Sequence, residues 1–200
     1  MQAHMLRCLV AFVALSAAVV VRAGQIPAAE TVIEDPDAYA VYASLIARDP
    51  RMSDGGRAKR LVVQRETVTN NACTVSGGAL ETDWKPVVDD FKIQNAHVRF
   101  VMPDRDLRVP YVVVPRKDIM AFFRKTGGNW PEFYRRYPDS GGYIEMSAVG
   151  FDRSKTRAMV YVAHSCGGLC GNGADHLLEK VDGVWHDANV PGITSCMWIS

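Results

Sequence analysis

Residues His164 to Gly173 read His-Ser-Cys-Gly-Gly-Leu-Cys-Gly-Asn-Gly, with Cys166 and Cys170 bracketing three residues. The apolar run Ala158 to Ala163 leads in and Leu177-Leu178 leads out. Two strands joined by a glycine-rich loop fit this pattern, because such runs bounded by turn residues favour a hairpin. The state of the two sulfurs then decides how far the hairpin can move. A disulfide between Cys166 and Cys170 is the favoured reading, with the glycines expected to supply positive-φ conformations in so short a closure.

The redox state of cysteine depends on compartment, and the first 23 residues speak to that. His4 and Arg7 precede an apolar stretch from Leu9 to Val21, and Val21-Arg22-Ala23 stands ahead of Gly24. This is the layout of a signal peptide cleaved after Ala23. The apolar stretch is shorter than the roughly 20 residues that span a bilayer. The protein is therefore expected to be periplasmic or secreted. Cys8 would leave with the signal, and four cysteines would remain: Cys73, Cys166, Cys170 and Cys196. An even number in an exported chain favours oxidation, with three pairings open. The local pair Cys166–Cys170 leaves Cys73–Cys196 by elimination. Chain-entropy arguments give about 2 kcal/mol for the short loop and nearly 5 kcal/mol for the long one.

Removal of Arg7 and Arg22 takes the 23 Lys and Arg down to 21, against 22 Asp and Glu. A chain so nearly neutral lacks the basic surface that nucleic acids or anionic membranes require. The remaining length suits one domain with an adequate core. Residues 24–36 read as a loose Ala/Pro/Glu-rich leader and 37–200 as the domain. Asp37 to Arg48 has helical periodicity, with Asp37 as N-cap and Asp49-Pro50 as the stop. Leu61 to Val68 reads as a strand, Asp83 to Gln94 as a helix and Tyr111 to Val114 as a short strand. Short helices are expected over Lys117–Arg124 and Trp130–Tyr137. Four strands follow, over Tyr143–Phe151, Arg157–Ser165, Ala174–Val181 and Val184–Asn189, the last two joined by an Asp182-Gly183 turn. Helices first and sequential strands last predict an α+β fold: N-terminal helices packed on an antiparallel sheet that ends in a four-strand meander.

At this meander a resemblance enters. Gly150-Phe151-Asp152, Ala158 to Val162, Cys166-Gly167-Gly168-Leu169-Cys170-Gly171, Leu177-Leu178-Glu179-Lys180 and Gly183-Val184-Trp185 resemble a carboxy-terminal module of uncharacterised exported bacterial proteins. Phe133-Tyr134, Tyr137-Pro138 and Gly142 also fit it. The likeness covers about the last third of the chain. It implies export and carries no catalytic role.

Other chemistry is conceivable for these residues. A redox dithiol usually has two intervening residues and a helix after the first cysteine; here there are three, between strands. His164, Cys166, Cys170 and His176 could form a Cys2His2 zinc site, with Asp175 orienting an imidazole, although their spacing matches no established zinc pattern. No Gly-Lys-Ser/Thr follows the glycines, as a phosphate loop demands. Ser140, a histidine and an aspartate could be drawn as a triad, but the nucleophile elbow is missing. Asp152, Asp175 and Asp182 read as solvated acids of turns and strand ends. Trp130, Phe133, Tyr134 and Tyr137 form an aromatic cluster at helical spacing. It packs a helix on the sheet or lines a groove for a peptide or glycan. No cofactor is called for. A non-catalytic binding or envelope-associated protein is expected, with a zinc- or thiol-dependent enzyme as the alternative.

Overall fold

Leu61, Val62, Val63 and Gln64 are all buried, so this strand (β1, Arg60–Gln64) is covered on both faces. An unbroken apolar run of this kind belongs in the middle of a sheet with helices on either side. In the computed structural model, which describes residues 30–48, 58–69, 75–124, 129–194 and 197–200, β1 does lie between two partners. It pairs in parallel with β2 (Tyr111–Val114) and with β3 (Ser140–Met146). The expected purely antiparallel sheet is thus corrected to a mixed one. Parallel neighbours need long crossover connections. The chain supplies them through α2 (Lys85–Gln94) between β1 and β2, and through α3 (Arg116–Ala121) and α4 (Trp130–Arg136) between β2 and β3.

The coarse α+β expectation holds: helices pack with an eight-stranded sheet. From β3 onward the pairing is antiparallel, through β5 (Arg157–Gly167), β6 (Cys170–Val181) and β7 (Val184–Asp187). Two short strands flank this path. β4 (Gly150–Phe151) pairs with β5, and β8 (Met197–Ile199) pairs with β6. Asp182 and Gly183 close the β6–β7 hairpin with φ of 50° and 79°. Positive φ at both central positions is what a tight type I′ turn requires.

One sheet face is covered by α1 (Pro36–Arg48), whose Tyr42, Leu45 and Ile46 pack with Ile144, Val160, Leu178 and Trp185. The helix is capped by Asp35, not Asp37: Asp35 Oδ1 accepts the Asp37 N–H at 3.0 Å, and Pro36 takes the first helical position. Pro there loses no bond, since that N–H has no helical partner. Asp37 is left to receive the Lys180 ammonium at 2.8 Å. Residues 24–36 are not all loose, either: Val32 forms a parallel bridge with Phe100. The opposite face carries two clusters. Trp84 and Val87 of the α2 region meet Met159 and Leu177, while Ile119, Phe133 and Tyr137 meet Val62 and Tyr143. No described helix is long and apolar enough to cross a membrane. Residues 1–23, Cys73 and Cys196 lie outside the described residues.

Candidate functional site

β5 and β6 stay paired to the cysteines themselves. Ser165 faces Gly171, Gly167 faces Cys170, and the register shifts between Ser165 and Gly167, which leaves Cys166 as the irregular residue. Only Gly168 and Leu169 form the turn. The long glycine-rich loop is therefore corrected to a two-residue tip on a continuous hairpin. The glycines' expected role changes with it. Gly167, Gly168, Gly171 and Gly173 are absent from the residues with positive φ. At Gly173 the reason for glycine is space: a Cβ would collide with the Trp198 indole and the Tyr161 hydroxyl. That room lets Trp198 lie beside the sheet and donate its Nε1–H to Tyr161 Oη at 2.8 Å.

Cys166 and Cys170 are joined by a disulfide, with their Cα atoms 5.0 Å apart. Cys166 is half-buried and Cys170 exposed. The Tyr134 hydroxyl of α4 donates to the Cys166 carbonyl at 2.8 Å and ties the tip to a helix. Beneath it, Gly142 adopts φ 104°, and a side chain there would strike the Ser165 carbonyl. Leu169 stands at the apex, 93 % exposed. An apolar side chain is thus held in solvent on a backbone braced covalently and by a hydrogen bond.

The alternative metal ligands do not converge. His164 is buried, with Nε2 2.6 Å from the Gly141 carbonyl oxygen. His176 is four register positions away, opposite Val160, whereas His164 is opposite Asn172. At a strand rise of about 3.3 Å per residue that is about 13 Å. The His176 Nδ1 lies 3.7 Å from Asp187 instead, and this imidazole holds the Asp187 carboxyl below its ordinary range. Among the described residues no group of three or more His, Cys, Asp or Glu could hold a metal ion.

The aromatic cluster divides. Phe133 and Tyr137 are buried, in contact with Phe122 and Phe123. Trp130 and Tyr134 are half-buried. Trp130 stacks on Tyr143 with centroids 6.1 Å apart. Most of the candidate aromatic surface is therefore core between α4 and the sheet.

Two acids take places that the sequence reading missed. Asp175 is neither at a turn nor solvated. It sits within β6 opposite Tyr161, is 6 % exposed, and accepts the Val75 N–H at 3.3 Å. Burial pushes its carboxyl up to about 6, against the opposing pull of the Val75 N–H. Glu145 shares this face, opposite Ala163, and burial raises its carboxyl too. Along β6, Gly171, Gly173, Asp175 and Leu177 share the buried face, as the two-residue period of a strand requires.

Ser76 and Thr194 form an antiparallel bridge, Ser76 N–H to Thr194 O at 3.2 Å and Thr194 N–H to Ser76 O at 2.8 Å. Comparison with models of protein families, with curated proteins and with solved structures gave no match to this chain.

Proposed function

We propose that this chain is an exported, non-catalytic binding domain that presents the Cys166–Cys170 hairpin tip to a protein or glycan of the cell envelope. The observation that carries this reading is Leu169, 93 % exposed between bonded cysteines and fixed to α4 through Tyr134. A rigid apolar contact loses little conformational entropy on binding, so preorganisation favours a docking role. The frame behind it is a four-strand meander with the N-terminal helices packed on the sheet. Cys73 and Cys196 form the second bridge in this reading, supported by the Ser76–Thr194 pairing of their neighbours. Kinship with exported bacterial proteins that carry the Cys-Gly-Gly-Leu-Cys-Gly module belongs to the same proposal. So does cleavage of residues 1–23 on the way to the periplasm or exterior.

The test uses Leu169→Ser, a change at a residue that adds little to the core. Mature wild-type protein immobilised at the opposite end should retain a specific envelope component, and the variant should lose it at unchanged melting temperature. Equal retention by both proteins refutes the tip as the binding element. Stoichiometric zinc in the purified protein, lost in Cys166→Ala, would replace this reading with the metal-dependent one.

A further inference from the structure

β1 is the strand at which the order of the sheet reverses. The chain leaves it for β2 on one side, then returns past it to β3 on the other, both in parallel. In parallel sheets with such a reversal, ligands sit in the crevice beyond the carboxyl ends of the strands, where the connections part. Here that crevice is a cavity of about 570 Å3. Small-molecule sites span roughly 300–1,000 Å3. Its walls are the residues that follow β1, Glu66 to Thr69, and those that follow β2, Arg116, Lys117 and Met120, with Val98 alongside. Backbone bonds hold the mouth in place. The Arg65 N–H donates to the Val114 carbonyl at 2.9 Å, and the Val68 N–H to the Met146 carbonyl at 3.0 Å.

The polar groups of the wall select the charge of the occupant. Glu66 is the acid among them, and its carboxylate is committed: Oε2 accepts the Arg116 N–H at 2.7 Å. That bond also uses the backbone donor at the start of α3, so side chains and not the helix end face a ligand. Arg116 and Lys117 are exposed, and among the described residues neither side chain lies in a salt bridge. Thr67 is 3 % exposed. Its Oγ1 accepts the Arg99 N–H at 2.9 Å, and among the described residues its hydroxyl hydrogen meets no acceptor. A buried donor in that state gains by donating to a ligand. The planar fork of arginine matches a carboxylate through two parallel bonds. We infer that this crevice is a binding site for a small monocarboxylate. Its carboxylate group meets Arg116, Lys117 and the Thr67 hydroxyl, and its apolar body rests on Val68, Val98 and Met120. The site is separate from the hairpin tip and does not depend on it.

3-Phenylpropionate tests the inference on the whole protein, with 3-phenylpropanol as neutral counterpart and inorganic phosphate as competitor, by calorimetric titration and thermal shift. The acid should bind saturably, and the alcohol at least about tenfold more weakly, since charge-assisted hydrogen bonds are lost. Arg116→Gln with Lys117→Gln changes two exposed side chains. It should weaken the acid by about tenfold or more at unchanged melting temperature. Val98→Trp, at an exposed position of the wall, should crowd the crevice and abolish binding of both compounds. Should Val98→Trp disturb the fold, the acid–alcohol pair and the double variant still decide. No saturable binding by the wild type overturns the site. Equal affinity for acid and alcohol overturns the ligand class, as does displacement of the acid by an equal concentration of phosphate. Acid binding untouched by the double variant or by Val98→Trp overturns the location.

Discussion

Asp175 should make this protein more stable as the solution is acidified, through a pH range in which buried salt bridges usually do the reverse. Its carboxyl rises from 3.8 to about 6 on folding, chiefly through burial. The native state therefore binds the proton more tightly than the unfolded chain does. This stabilisation is complete below the unfolded value and is lost as pH rises through about 6. One pKa unit corresponds to about 1.4 kcal/mol, so the shift is worth at most about 3 kcal/mol. The residual solvent response around a carboxylate makes that an upper limit. About 1 kcal/mol of it should be gained between pH ~7.5 and ~5. Other charged or ionisable side chains lie near Asp175: His176, Asp187 and Lys92 line the same cavities as it does, and Tyr161 stands opposite it on β5. They are common to wild type and Asp175→Asn, so the difference between the two proteins isolates the carboxyl. Urea unfolding followed by tryptophan fluorescence at several pH values measures it. Wild type should gain on Asp175→Asn as pH falls. A difference that stays flat, or that shrinks toward acid, refutes the argument that burial governs this group.

Three further outcomes follow from the packing. Cys166→Ser with Cys170→Ser should cost about 2 kcal/mol, as the short closed loop implies, and leave the fold cooperative in urea; complete unfolding would mean that the tip carries far more than loop entropy. Phe133→Ala should cost about 3–5 kcal/mol by calorimetry, since the ring is fully buried among Phe122, Phe123, Trp130 and Tyr143. A loss below about 1 kcal/mol would return that ring to the surface role. Gly173→Ala should displace Trp198 from Tyr161, lowering the melting temperature and shifting indole emission to the red; an unchanged spectrum contradicts the steric reading.

The carboxy-terminal strands were legible because their signals are local. β5 is apolar and bounded by turn residues, and Asp182-Gly183 adopts the pair of positive φ values that a type I′ hairpin turn requires. What escaped depends on distant partners. Glycine reads as loop from neighbours alone, yet Gly171 and Gly173 continue β6 because Trp198 and Ser200, far along the chain, come to lie against them. β1 pairs in parallel with β2 and β3, a choice made by helical crossovers rather than by any residue of Leu61-Val62-Val63. Asp37 satisfied the N-cap pattern, but Asp35 before a proline satisfies it better and leaves Asp37 for Lys180. His164 and His176 looked convergent as the two ends of a loop; once the loop became strand, register separated them. Asp175 is hidden for the same reason: with β6 beginning at Cys170, it lies in the strand interior and not at a strand end.

Intact mass of the protein recovered from its native compartment, before and after reduction, bears most directly on export and disulfide bracing. A chain beginning at Gly24 that gains four hydrogens on reduction is expected, two for each bridge, with Cys166–Cys170 and Cys73–Cys196 recovered as linked peptides after digestion. A chain that retains residues 1–23, or one with four free thiols, would contradict the exported, doubly braced domain.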